Sequence, residues 1–224
     1  MTFPLRVLVG CERSGTVRDA FLRLGHDAWS CDLAADERRS NRHIRDDVRR
    51  VMHDHPWDIV CVMHPPCTRL CGSGVRWLSV PPPGRTREEM WRELDEGCAL
   101  FQDCLDAPAP FVAVENPVMH GHAKERINFE GTENFYVQPW WFADSDDSLD
   151  NEKKRTGFWV RNLPKLEATG SVDGTTARNR VHFARPGKDR AVERSRFFTG
   201  MAEAMAEQWS AHVLACMGHA GIAA

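Results

Sequence analysis

The chain has 224 residues and a formal net charge of −3 at pH 7, which allows one substantial core and gives no global attraction for nucleic acid. Its 42 % apolar and 27 % charged residues are those of an ordinary soluble globular protein. No apolar run reaches the roughly 18 residues needed to span a bilayer, and the first residues lack the apolar core of a signal peptide, so no membrane association and a cytoplasmic location are expected.

Arg6-Val7-Leu8-Val9-Gly10 is a short run rich in β-branched residues and predicts a buried strand of the parallel-sheet kind. Gly10, Ser14 and Gly15 then form a turn. Val17, Ala20, Phe21 and Leu24 recur at helical spacing until Gly25 closes the helix. Residues 26–31 predict a second strand, closed by Asp32. The stretch 38–50 is dense in arginine (Arg38, Arg39, Arg42, Arg45, Arg49, Arg50), as is 178–196. Such runs are either a local basic surface or simply a solvated face. Asp46-Asp47 precedes a short helical pattern, and 57–63 is a near-continuous apolar strand that runs into His64-Pro65-Pro66-Cys67.

Residues 68–87 are rich in Gly, Pro and Arg and predict a long loop, of the kind that is usually functional or disordered. A helix is expected from 86 to about 106, with Leu94, Cys98, Phe101 and Leu105 along one face. Residues 111–115 predict a strand ending on Asn116-Pro117. Two more strands, 137–142 and 156–160, flank an acidic loop at 144–152, and a helix over 203–217 closes the chain. Strands alternating with helices predict an α/β fold with a doubly wound, mostly parallel sheet. The eight cysteines sit mostly in apolar runs and have no secretory signal before them, so they read as reduced thiols.

The Gly10–Gly15 turn, Asp32, Cys67 and Glu115 each fall just after an expected strand, so a parallel sheet would gather them on one edge. The turn serves backbone packing as readily as a cofactor. Asp32 suits either a ribose hydroxyl or a helix N-cap. Pro65-Pro66 would hold the Cys67 thiol at a fixed point above the edge, and a thiolate is suited to adding to an electron-poor ring. A buried, protonated Glu115 could donate to a ring nitrogen. The plainer reading is a buried loop cysteine and an N-cap.

Pro65-Pro66-Cys67 followed by Glu115-Asn116-Pro117, after a Gly-containing first turn, resembles the catalytic core of the cytosine-C5 DNA methyltransferases, most closely their short, phage-type members. The resemblance implies a Rossmann-like methyltransferase fold, S-adenosylmethionine as cofactor and DNA with a flipped cytosine as partner. It places Cys67, Glu115 and Arg155 in catalysis, Arg155 coming from Lys154-Arg155-Thr156. Gly10, Gly15, Asp32, Asp47 (with Asp46 its competitor), Pro65 and Gly200 would serve the cofactor. Pro66, Asn116, Arg69 and Arg76 would serve the substrate, the 68–87 loop closing over the site. Residues 1–160 and 195–224 would be the catalytic domain and 161–194 a short insert where the family has its target-recognition region. The chain departs from the family at His64, Pro117 and in the shortness of that insert, which implies a short or relaxed target. A bacterial or phage-infected cytoplasm follows.

Other readings use the same residues differently. The same Cys chemistry could act on a free or single-stranded pyrimidine, with S-adenosylmethionine or a folate as donor. A non-catalytic binding protein could retain the fold. Exocyclic-amine methylation would need Asp/Asn-Pro-Pro-Tyr/Phe, which the motif lacks. Cys61, His64, Cys67 and Cys71 have zinc-like spacing, but ligation would disrupt the expected strand end, so no metal is expected.

Overall fold

Apolar runs such as Val7-Leu8-Val9 and Ile59-Val60-Cys61-Val62 can be buried on both sides only in a sheet covered by helices on each face. The computed structural model, which describes residues 3–63, 65–180 and 197–220, has that arrangement. Its strands are β1 (Arg6–Gly10), β2 (Asp27–Cys31), β3 (His43–Ile44), β4 (Ile59–Val62), β5 (Phe111–Asn116), β6 (Glu133–Val137) and β7 (Thr156–Arg161). Its helices are α1 (Thr16–Arg23), α2 (Val48–Asp54), α3 (Arg87–Leu105), α4 (Gly121–Lys124) and α5 (Thr199–Ala220).

The sheet runs in the order β3-β2-β1-β4-β5-β7-β6. The first five strands in this order are parallel, whereas β7 is antiparallel to both β5 and β6. The expected doubly wound, mostly parallel sheet is thus present. Side chains alternate between two cores. Val7, Val9, Ile59, Cys61 and Phe158 face α1 and α5, where Trp209 is fully buried. Leu8, Val60, Val62, Val112 and Val114 face α2 and α3. A capping box at Thr86 and Glu89 starts α3. Arg161 of β7 donates to the carbonyls of Leu105, Ala107 and Ala109, which satisfies the other end of that helix.

Three element boundaries differ from expectation. Residues 137–142 are not a strand: Val137 ends β6, and Pro139–Phe142 is a 3-10 turn. Pro139 has no N–H for a ladder, and its fixed φ suits the first position of such a turn. The closing helix begins at Thr199 rather than 203, because Asp150 accepts from the Thr199 and Gly200 N–H groups and caps it from afar. The 68–87 stretch is partly ordered, with a 3-10 turn at Val75–Leu78 and with Leu70 and Leu78 buried.

Residues 162–180 contain no helix and no strand, yet they lie on the main core: Leu163 and Leu166 pack in the α1/α5 cluster, and Trp209 Nε1 donates to the Pro164 carbonyl at 3.0 Å. His64, residues 221–224, most of the second arginine-dense stretch and residues 181–194 of the expected insert lie outside the described residues. No helix among the described residues is long and apolar enough to cross a membrane.

Candidate active site

The parallel strands β1, β2, β4 and β5 all end on one edge of the sheet, and the segments after them meet there. Beyond β4 the chain makes a tight turn, in which the Cys67 carbonyl accepts from Leu70 N at 2.9 Å and Cys71 N at 3.1 Å. Backbone bonds lace this turn to the segment after β5. Gly72 N donates to Val118 O at 3.2 Å, His120 N donates to Leu70 O at 3.0 Å, and Cys71 forms an isolated bridge with Met119. Gly74 lies so close to the turn that an added Cβ would sit 1.8 Å from the Thr68 carbonyl oxygen. The Cys67 turn and the Glu115-Asn116-Pro117 segment therefore form one rigid unit.

Within this unit Cys67 is half-buried, Glu115 is 4 % exposed and Asn116 is fully buried. The Cys67 and Cys71 thiols interact within this turn. That interaction, burial and the charge of Glu115 push the Cys67 thiol up, while Lys154 opposes the shift. The Cys71 thiol is driven the other way by the same interaction. Burial opposes this shift, and the Ser73 side chain, at 3.0 Å, and the backbone N–H groups of Ser73 and Gly74 favour it. Asn116 Nδ2 donates to the Pro117 carbonyl at 2.7 Å, which fixes the amide in place. Pro65 is buried and Pro66 exposed.

The turn after β1 is built around a residue that the sequence reading did not single out. Glu12 is completely buried, and its two carboxylate oxygens accept from Val17 N at 2.7 Å and Arg18 N at 3.1 Å, occupying the N-terminus of α1. Burial pushes its pKa up to about 7, against the pull of those two N–H bonds. Gly15 adopts φ +68° before α1, a conformation open to glycine, and a Cβ there would strike the buried Arg18 guanidinium. Arg18 in turn reaches Asp19, Asp36 and Ser30. At Gly10 a Cβ would lie 2.4 Å from Val48 Cγ2, so this glycine is needed for α2 to pack. Asp32 stands half-buried after β2 and accepts from Ala34 N at 2.8 Å. Asp47 is the N-cap of α2 and pairs with Arg49 at 2.6 Å, which holds its carboxyl below the usual range.

The remaining expected site residues are dispersed. Arg155 lies over the Tyr136 ring, 4.2 Å from its centroid. Its neighbour Lys154 is the cation felt by Cys67 and also lies 5.8 Å from the Phe198 ring. Arg69 is committed to Glu93 of α3 at 2.7 Å, and Arg85 to Glu89 and Glu93. Arg76 stacks on Trp77 at 4.1 Å. These contacts tie the 68–87 stretch down onto α3 and its own side chains. Gly200 permits close approach: a Cβ would lie 2.4 Å from the Phe142 carbonyl oxygen. Among the described residues no three His, Cys, Asp or Glu side chains group to hold a metal, and Cys61 packs in the core.

No protein-family model matches the chain, and no curated protein does. Among solved structures, it is similar to a protein described as a DNA modification methyltransferase encoded within a prophage (E. coli). The identity is 13 %, the TM-score 0.42, and the match covers 70 % of this chain and 46 % of the other. It is also similar to the Entamoeba histolytica methyltransferase EhMeth, with 12 % identity, a TM-score of 0.44, and coverage of 76 % and 58 %. The chain thus spans about half the length of these structures.

Proposed function

We propose that the chain is a methyltransferase that places the methyl group of S-adenosylmethionine on C5 of cytosine in DNA, through a transient bond between Cys67 Sγ and C6. The observation that carries this reading is the Cys67–Glu115 pair, a soft nucleophile and a buried carboxyl in electrostatic contact on one laced unit at the sheet edge. A cytosine extruded from its stack would present C6 to Cys67 and N3 to Glu115. With a proton on its carboxyl, Glu115 would donate at N3 and draw electrons from the ring, so that Cys67 Sγ adds to C6 and density rises at C5. Asn116, whose amide is fixed on the Pro117 carbonyl, would contact the substrate, and Arg155, over Tyr136, would face the nucleotide as a cation. After methyl transfer the C5 proton leaves to water, the double bond re-forms and Cys67 departs as the thiolate.

S-adenosylmethionine, when bound, supplies a methyl group activated by a sulfonium centre. The residues present fit it. The Glu12 carboxylate already occupies the first N–H groups of α1, so the helix N-terminus offers no seat for the phosphates of a dinucleotide. A cofactor without phosphate is compatible with that turn. Asp32 would take the ribose hydroxyls, and Gly15 and Pro65 would line the bound molecule. Asp47 and Gly200 would contribute through the packing described above. On this reading residues 1–160 and 195–224 are the catalytic domain and 161–194 a short insert in the position of a target-recognition region.

Bisulfite sequencing of DNA from cells expressing the chain tests the assignment. We expect protected cytosines in a short sequence context with the wild type and none with Cys67→Ser. Protection that persists in Cys67→Ser, or none in either, contradicts it.

A further inference from the structure

Arg69, Arg85 and Arg180 are each neutralised by a carboxylate, Arg180 by the fully buried Glu152. Arg155 is held differently. It is exposed, it forms no ion pair or hydrogen bond among the described residues, and its guanidinium lies over the Tyr136 ring, 4.2 Å from the centroid. The backbone register makes this stack part of the sheet edge. Asn116 of β5 and Tyr136 of β6 both pair with Gly157 of β7, one from each side, and Arg155 immediately precedes β7. A Cβ at Gly157 would lie 2.8 Å from Tyr136 Cε1 and 2.8 Å from the Asn116 carbonyl oxygen, so this glycine lets the ring lie across β7 toward the end of β5. Trp159 meets the ring edge-on at 6.3 Å and is itself packed against Phe101 and Phe129, which buttresses the stack from the core.

An aromatic face holds a guanidinium in place without cancelling its charge or using its N–H groups, whereas a carboxylate does both. Arg155 therefore keeps a complete fork of donors, suited to two oxygens of one phosphate. Resting on the DNA reading above, we infer that Tyr136 is a positioning residue: its ring holds Arg155 at the sheet edge to bind a phosphate of the strand that carries the target base. A base leaves its stack only if its backbone turns, and a cation on a buttressed ring gives that backbone a fixed point beside Asn116. The acids nearest in sequence are occupied elsewhere. Glu152 pairs with Arg180, Asp150 caps α5 and Asp146 accepts from Thr176, so none of them takes up the Arg155 charge.

Binding of the full chain to a fluorescein-labelled oligonucleotide, single-stranded and duplex, tests this by anisotropy from about 50 to about 300 mM NaCl, with no cofactor and no methyl transfer needed. Arg155→Gln should weaken binding by roughly three- to tenfold and lower the slope of log Kd against log salt by about 0.7 to 0.9, the share of one phosphate. Tyr136→Phe should bind like wild type, and Tyr136→Leu should lose about three- to fivefold. In the Arg155→Gln background Tyr136→Leu should bring no further loss, a coupling that a merely structural ring would not produce. Should Tyr136→Leu fail to fold, fluorine NMR serves in its place. Tyr136 is the only tyrosine of the chain, so 3-fluorotyrosine reports on it alone, and DNA should shift its signal in wild type but not in Arg155→Gln. An unchanged affinity and salt slope in Arg155→Gln, additive losses in the double variant, or a fluorine signal that DNA moves equally with and without Arg155 overturns the inference. Coupling found without any cytosine methylation would sink the methyl-transfer reading and leave the inference standing.

Discussion

Glu12 sets burial against hydrogen bonding within a single side chain. Two backbone N–H groups and the α1 terminus favour its charge, while complete exclusion from water disfavours it, and the balance lifts the pKa to about 7 from 4.5. The folded protein therefore keeps a proton that the unfolded chain releases, and stability falls as pH rises from about 4.5 to about 7, then levels. The change is on the order of 3 kcal/mol. Asp36 and Asp47, whose values are depressed, are ionised throughout this window and do not contribute to the slope. Urea denaturation at pH 5 and pH 7.5 should show the loss in wild type and a much smaller one in Glu12→Gln; equal losses in both would refute the assignment. Under the proposed reaction Glu115 would face the substrate and makes a different prediction. Glu115→Gln keeps the shape but cannot supply the N3 proton as an acid, so kcat should drop by roughly 10² to 10⁴-fold with S-adenosylmethionine affinity retained. Isothermal titration beside a tritium-transfer assay separates the two effects, and a matched loss of binding would mean that Glu115 is structural.

The element on which the proposed chemistry depends is the turn from Cys67 to Gly74, and its backbone is laced to residues 118–120. Gly74→Ala tests this directly. Its Cβ would collide with the Thr68 carbonyl, so the turn must shift and carry both sulfurs with it. We expect methyl transfer to fall by 10²-fold or more, as displacements near 1 Å do at reacting centres, with the melting temperature lowered by only a few degrees. Unchanged activity would show that the turn tolerates displacement. Part of this element was legible in the chain: Pro65-Pro66 announced a stiff exit from β4, whereas the Gly-, Pro- and Arg-rich 68–87 stretch read only as a long loop. The pairing of that turn with residues 118–120 was not, because it joins segments some fifty positions apart. The start of α5 escaped for the same reason, its cap Asp150 lying in the acidic loop.

For the whole molecule, continuous apolar strands alternating with amphipathic helices sufficed for the doubly wound sheet. Period and composition report burial on one face or two, and here they agreed across β1, β4 and β5. The edge strands were less legible. β3 has two residues and β6 is half exposed, so neither carries a hydrophobic pattern of its own. Of the candidate site residues, Cys67 and Glu115 stood out because the ends of parallel strands converge. Glu12 did not, since nothing in Cys11-Glu12-Arg13 signals that the acid turns inward to cap its own helix. The ion pairs of Arg69 and Arg85 with α3 were not legible either, because they join the 68–87 stretch to Glu89 and Glu93 on a separate element. The central claim is that Cys67 bonds to C6 of a cytosine, and a trapped complex tests it most directly. DNA containing 5-fluorocytosine should, with S-adenosylmethionine present, give a denaturation-resistant protein–DNA adduct in wild type and none in Cys67→Ser; an adduct that survives the substitution, or no adduct with wild type, would contradict the account.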